Sequence, residues 1–253
     1  MSEQLESASS SHAAPFIHEE KNSRSLHFSI HQLQSKMSVS RPDELEVEYT
    51  KTMMGFLIFK RQPRHIAMIG LGGGSLAKFC YRNLPDAKIT VVEINPQVIA
   101  LRKEFLVPDD NERFQVIEAD GADFVRDAEP DFDVLLVDGF DHQGQPTQLC
   151  TQHFYECCSR ILVDHGVMAV NLDDTHPLYE LFIARIDRSF DSNIAEVAVN
   201  QDGNVIVFAG KNIAISPHSL RSNIHLAQVA WNPRKSVAAA SLSNDLPSRS
   251  ATV

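Results

Sequence analysis

The sequence predicts an α/β domain built on a mostly parallel sheet, with helices on both faces and an antiparallel hairpin closing one edge. Three observations carry this prediction. From His65 onward, short apolar runs rich in β-branched residues alternate with segments of helical period, the pattern of strands joined by crossover helices. The runs are nearly continuous in apolar residues, as strands covered on both faces require. Two final strand-like runs flank the turn Asn200-Gln201-Asp202-Gly203-Asn204, a hairpin signal.

The elements follow in order. Residues 1–23 are polar and Ser-rich and are expected to form a disordered tail. In 24–62, the alternation from Leu26 to Met37 predicts one or two short strands, and Pro42 and Asp43 open a helix running towards Phe59. The segment 63–212 then pairs IAMIG with SLAKFCYRNL, ITVVEI with PQVIALRKEF, FQVIEAD with GADFVRDA, and DVLLVD with a long polar loop. A helix from about Gln152 to Leu162, a fifth strand Gly166–Leu172, a helix near Leu178 to Phe190, and the strands Ile194–Val199 and Val205–Ala209 complete seven strands. Residues 213–253 form an extension, mostly disordered, with Ser, Ala, Pro and Asn dominating from Asn232.

Composition narrows the class of function. The chain has 253 residues, 43% of them hydrophobic, enough to close a core. With 23 Lys plus Arg against 33 Asp plus Glu the formal charge is −10, which repels a phosphate backbone and argues against nucleic acid. Four cysteines without a C-x-x-C pair, and eleven histidines without a paired spacing, suggest reduced thiols in a cytoplasmic protein and no metal site. The longest apolar stretch, Met53 to Phe59, is far below the roughly 20 residues that span a bilayer, so no membrane partner is expected.

The chemistry gathers at the ends of the strands. Gly70, Gly72, Gly73 and Gly74 lie between a strand and a helix, where a glycine turn lets the backbone approach a ligand; such turns also occur purely for packing. Glu93 ends the next strand at the spacing where an acidic side chain accepts hydrogen bonds from ribose hydroxyls. Asp120 and Gly121 repeat the arrangement one strand on; Asp120 can accept from an adenine amino group, cap the following helix, or do both. Asp138 and Asp141 close the fourth strand and can together hold a protonated amine, or divide proton acceptance and orientation between them.

In this order the residues resemble the spermidine synthase family, aminopropyltransferases that share the class I methyltransferase, Rossmann-type fold. The resemblance covers roughly Leu26 to Ala209. Gln34-Ser35 resembles the family's Gln-Ser, Tyr49 the tyrosine of its first helix, and Gly70 to Gly74 its glycine turn. Val91 to Ile94 resembles the ribose-binding strand, Asp120-Gly121 the adenine-binding pair, Asp138 to Asp141 the D-S-S-D loop, and Phe154-Tyr155 an aromatic pair. The resemblance implies that Gln34, Gly70, Gly72, Gly74, Glu93, Asp120 and Gly121 bind decarboxylated S-adenosylmethionine, that Tyr49 and Asp141 bind the amine, and that Asp138 is the proton acceptor. It further implies a small amine substrate such as putrescine, methylthioadenosine as the other product, and a possible homodimer.

The chain also departs from the family. Gly73 stands where the family turn has Asp, Thr50 and Lys51 follow Tyr49 in place of polar anchors, Gly139 and Phe140 replace two serines, and His142 replaces a proline. Two other readings therefore stand beside aminopropyl transfer: an S-adenosylmethionine-dependent methyltransferase of the same fold, and a nucleoside-binding protein without turnover.

Overall fold

The computed structural model describes residues 13–216 except 30–31, 142–143 and 200–202, together with 218 and 220. Residues 1–12, the tail beyond 220, His142 and the middle of the hairpin turn lie outside the described residues.

A small antiparallel sheet comes first, formed by β1 (Phe16–Glu19), β2 (Ser23–Ser29) and β3 (Gln32–Ser38) in that order. The sequence predicts a tail up to residue 23, so β1 is a correction. Its four residues are too few for a periodic signal. What holds them is pairing of Phe16 with His27 and Ile17 with Leu26, and stacking of the Phe16 ring on His27 at 5.4 Å.

The predicted helix towards Phe59 is also shorter than expected: α1 spans Glu48–Met53 and continues as a 3₁₀ turn over Met54–Ile58. Pro42 and Asp43 occupy the centre of a turn closed by the Glu44 N–H on the Arg41 carbonyl at 3.1 Å, so proline opens a turn here instead of a helix. At the other end Met54, Gly55, Phe56 and Leu57 are all buried, and packing on every side replaces the one-sided burial of an α-helix.

The large sheet has seven strands: β4 (His65–Ile69), β5 (Lys88–Glu93), β6 (Phe114–Glu118), β7 (Phe132–Val137), β8 (Leu162–Asp173), β9 (Ile194–Ala198) and β10 (Asn204–Gly210). Their spatial order is β6-β5-β4-β7-β8-β10-β9. The first five pair in parallel, and β10 pairs antiparallel with both β8 and β9, which is the predicted edge hairpin. Helices α2 (Ser75–Asn83), α3 (Pro96–Ala100), α4 (Gly121–Asp127), α5 (Gln152–Ile161) and α6 (Tyr179–Ser189) connect the strands.

Alternation along the strands explains their continuous apolar character. Ile66, Met68, Val134 and Leu136 enter one core, shared with Leu26 and Met37 of the small sheet and with α2. Ala67, Ile69, Leu135 and Val137 enter the other, shared with α5 and α6. All four cysteines are buried free thiols. The strand order reverses at β4, between β5 and β7, and ligands of open α/β sheets sit at the carboxyl ends of strands at such a point.

Candidate active site

A cavity of about 610 Å³ opens at that reversal, within the size range of small-ligand sites. It is lined by the carboxyl ends of β4, β5, β7 and β8, the loops after them, and residues of β3 and α1 that close it from above.

The floor is the glycine turn. Gly70, Gly72 and Gly74 have φ of 94°, 50° and 67°. At Gly70 a side chain is also excluded sterically, because a Cβ would strike the Asp138 carbonyl oxygen. This contact brings the β4 turn against the end of β7, where the Asp138 N–H donates to the Ile69 carbonyl at 2.9 Å. Gly70 and Gly72 line the cavity. Gly74, expected to bind the ligand, lies behind the turn against Val107 and acts by shaping the entry into α2. A Cβ at Gly73 would lie 2.7 Å from Ser35 Oγ and 2.9 Å from Phe105 Cδ1. The small sheet therefore covers this point, and no side chain fits there without a shift.

Glu93 is buried, yet lines the cavity. One carboxylate oxygen accepts from the Leu71 N–H at 2.9 Å, the other from the Asn95 N–H at 2.8 Å. Burial raises its pKa above the ordinary value and these backbone donors pull it back. Asp120 caps α4, with Oδ1 accepting from the Ala122 N–H at 2.7 Å, while Oδ2 accepts from Gln148 Nε2 at 3.3 Å. Both Asp120 and Gly121 line the cavity, as does Gln34. Capping and ligand-facing placement thus coexist in Asp120.

On the other side stands Asp138, held by two neutral donors. Tyr49 Oη donates to Oδ2 at 3.0 Å and Asn171 Nδ2 to Oδ1 at 2.9 Å. Burial pushes the Asp138 carboxyl up from its ordinary value, and the hydrogen bonds from Asn171 and Tyr49 oppose that rise. The Tyr49 hydroxyl is held well above its ordinary pKa, first by burial and then by the Asp138 charge, so it stays a donor. Asp141 lines the same cavity from the loop after β7, in a turn where its N–H donates to the Gly144 carbonyl at 2.8 Å.

The departures noted in the sequence resolve differently from one another. Thr50 lines the cavity, its hydroxyl donating to the Val47 carbonyl at 2.6 Å. Lys51 does not line it and pairs with Glu48, so its charge is neutralised on the outer face of α1. Gly139 and Phe140 do line the cavity. Sequence reasoning missed Asn171, Asn204, Gln148 and Asp173. The signal for Asn171 was available: it is the one polar residue in the run Val167–Leu172 and lies at a strand's carboxyl end.

Five carboxylates, Glu93, Asp120, Asp138, Asp141 and Asp173, line the cavity, and no Lys, Arg or His does so among the described residues. Also among these residues, no cluster of His, Cys, Asp and Glu is arranged to hold a metal ion, and no helix is long and apolar enough to cross a membrane.

Residues 46–202 match the family model of the spermine/spermidine synthase domain. A polyamine aminopropyltransferase from Chromobacterium violaceum is 42% identical over 194 residues, covering 76% of this chain and 74% of that protein. Among solved structures, a probable spermidine synthase from Corynebacterium glutamicum superposes with a TM-score of 0.69 at 19% identity, over 78% of this chain and 76% of that one. A spermidine synthase in complex with the transition-state analogue AdoDATO gives a TM-score of 0.62 at 21% identity, over 87% and 86%. The order of the sheet, the carboxylates at its switch point and the match over most of the chain agree: the chain belongs to the spermine/spermidine synthase family.

Proposed function

We propose that this chain is an aminopropyltransferase that moves the aminopropyl group of decarboxylated S-adenosylmethionine to a small diamine such as putrescine, releasing methylthioadenosine. The observation that carries the proposal is the lining of the cavity, five carboxylates and, among the described residues, no cation. Each opposite charge brought to about 4 Å of such a carboxylate gains on the order of 4 kcal/mol before desolvation at an effective dielectric of about 20. A decarboxylated cofactor and an amine acceptor bring only positive charge. The intact cofactor would add a carboxylate to a site whose described residues offer no cation to receive it, so this lining disfavours the methyltransferase reading.

The residues present fit the cofactor. Glu93, held by backbone N–H donors that include those of Leu71 and Asn95, faces the cavity beside Gly70 and Gly72, which suits ribose hydroxyls. Asp120, Gly121 and Gln148 suit an adenine edge, and Gln34 reaches in from β3. When bound, the cofactor's sulfonium supplies the electrophilic carbon.

Asp138 accepts the proton of the attacking amine. Its raised pKa makes it a stronger base than a solvated carboxylate, and its two bound donors leave lone pairs open on both oxygens. Tyr49 and Asn171 fix its plane, while Asp141 and Asp173 hold positive charge on the acceptor. The non-catalytic reading leaves this half-buried base without a purpose.

Incubation with decarboxylated S-adenosylmethionine and a pool of amines, followed by mass spectrometry, tests the proposal. An amine heavier by one aminopropyl group is expected; transfer of a methyl group from the intact cofactor instead would overturn it. A cytoplasmic homodimer completes this reading, and sedimentation of the purified chain tests its oligomeric part.

A further inference from the structure

The Asp138 carboxylate belongs to a chain of side chains that crosses three neighbouring strands. Asn171, 3% exposed near the end of β8, donates to Asp138 Oδ1, and its own Oδ1 accepts from Nδ2 of Asn204, the first residue of β10, at 3.0 Å. The direction of this chain is forced. An ionised carboxylate only accepts, so Asn171 must turn its NH₂ to Asp138 and its oxygen away, and Asn204 must then donate to that oxygen. A buried amide in an apolar strand is costly unless its polar atoms are paired, and here both pairings serve Asp138.

We propose that Asn171 and Asn204 are positioning residues for the transfer reaction, acting as an amide relay that fixes the orientation of Asp138. The inference rests on Asp138 being the base of the proposed reaction. Without Asn204, the Asn171 oxygen loses its donor and the amide is held at one end only, which loosens its hydrogen bond to Asp138 and the carboxylate plane that bond sets. Tyr49 holds the opposite carboxylate oxygen, so the relay defines the second of two points that set the carboxylate plane. Gln145 ties the Asp141 loop to the same strand, donating to the Asn171 carbonyl at 3.2 Å.

Kinetics of the full chain with decarboxylated S-adenosylmethionine and putrescine test the relay. A hydrogen bond to a charged group is worth roughly tenfold to a hundredfold in rate. Asn171→Ala is expected to lower kcat about 30-fold and Asn204→Ala about 10-fold, each with the cofactor KM within about twofold of wild type. The double variant should fall no further than Asn171→Ala, because Asn204 acts only through Asn171. Asn204→Asp keeps the shape but cannot donate, and should be worse than Asn204→Ala; if the side chain merely filled space, the order would reverse. A second readout does not depend on turnover: the carbon-13 titration of the Asp138 carboxyl, identified by its loss in Asp138→Asn, should move upward in both alanine variants. The other carboxylates that line the cavity, Glu93, Asp120, Asp141 and Asp173, are retained in both variants. Additive losses in the double variant, or an unmoved Asp138 titration, would overturn the relay. Absence of aminopropyl transfer by the wild-type chain would refute the proposed function alone, with the titration still deciding the relay.

Discussion

Replacing Asp138 by Asn separates chemistry from binding and from folding. The relay presents an NH₂ at 2.9 Å from Asp138 Oδ1, so the amide introduced by Asp138→Asn must place its oxygen there and turn its own NH₂ towards Tyr49, whose hydroxyl can rotate to accept. No donor is left opposed to a donor, and one of five cavity carboxylates is removed. The variant should therefore melt at or above the wild-type temperature. It loses its proton acceptor, and general-base catalysis is worth roughly 10²- to 10⁴-fold, or about 3 to 5 kcal/mol of activation free energy. Chromatographic release of methylthioadenosine under saturating substrates measures the loss, while calorimetry should show cofactor affinity within about threefold of wild type. Turnover within about tenfold of wild type in a correctly folded variant would remove Asp138 from the mechanism.

Tyr49→Phe deletes a donor that holds the Asp138 pKa down. Because Asp138 works as the carboxylate, the acid limb of the kcat profile should move to higher pH, with a roughly 10-fold lower plateau; an unmoved limb contradicts the assignment. Glu93→Gln sets an NH₂ against either the Leu71 or the Asn95 N–H, and calorimetry should find cofactor affinity about 10- to 100-fold weaker. Lys78, 1% exposed, donates to the Phe105 carbonyl at 2.7 Å, and burial lowers its pKa from 10.5 to about 8. Between those two pH values the unfolded chain binds the extra proton, so the folded state gains stability as pH rises. The melting temperature of wild type relative to Lys78→Met should accordingly climb between about pH 8 and pH 10.5, and a constant difference would refute the linkage.

Much of the fold was legible because its signals are local. The β-branched runs from Ile66, Ile89 and Val134 are continuous for the reason the two cores show: neighbouring residues in each strand enter opposite ones. Glu93, Asp120 and Asp138 were legible because each ends a strand at the sheet's carboxyl edge. The sequence could not reveal β1, whose order comes from its pairing partners on β2. Nor could it show that Lys51 points away from the cavity, since one residue's shift along a helix turns a side chain by about 100°. Asn204 was invisible for a related reason: its meaning lies in Asn171, 33 residues distant, and only the antiparallel register of β8 and β10 brings them together. Gly73 reads as a lost anchor in the sequence; in the structure Ser35 of the small sheet and Phe105 pack so close there that a side chain would force a shift.

Everything proposed for the transferred group rests on a cavity that carries negative charge and offers no cation among its described residues. Calorimetry with decarboxylated and intact S-adenosylmethionine at equal ionic strength tests this directly. The decarboxylated form should bind at least about 30-fold more tightly, equivalent to about 2 kcal/mol. Equal affinity, or preference for the carboxylated form, would contradict it.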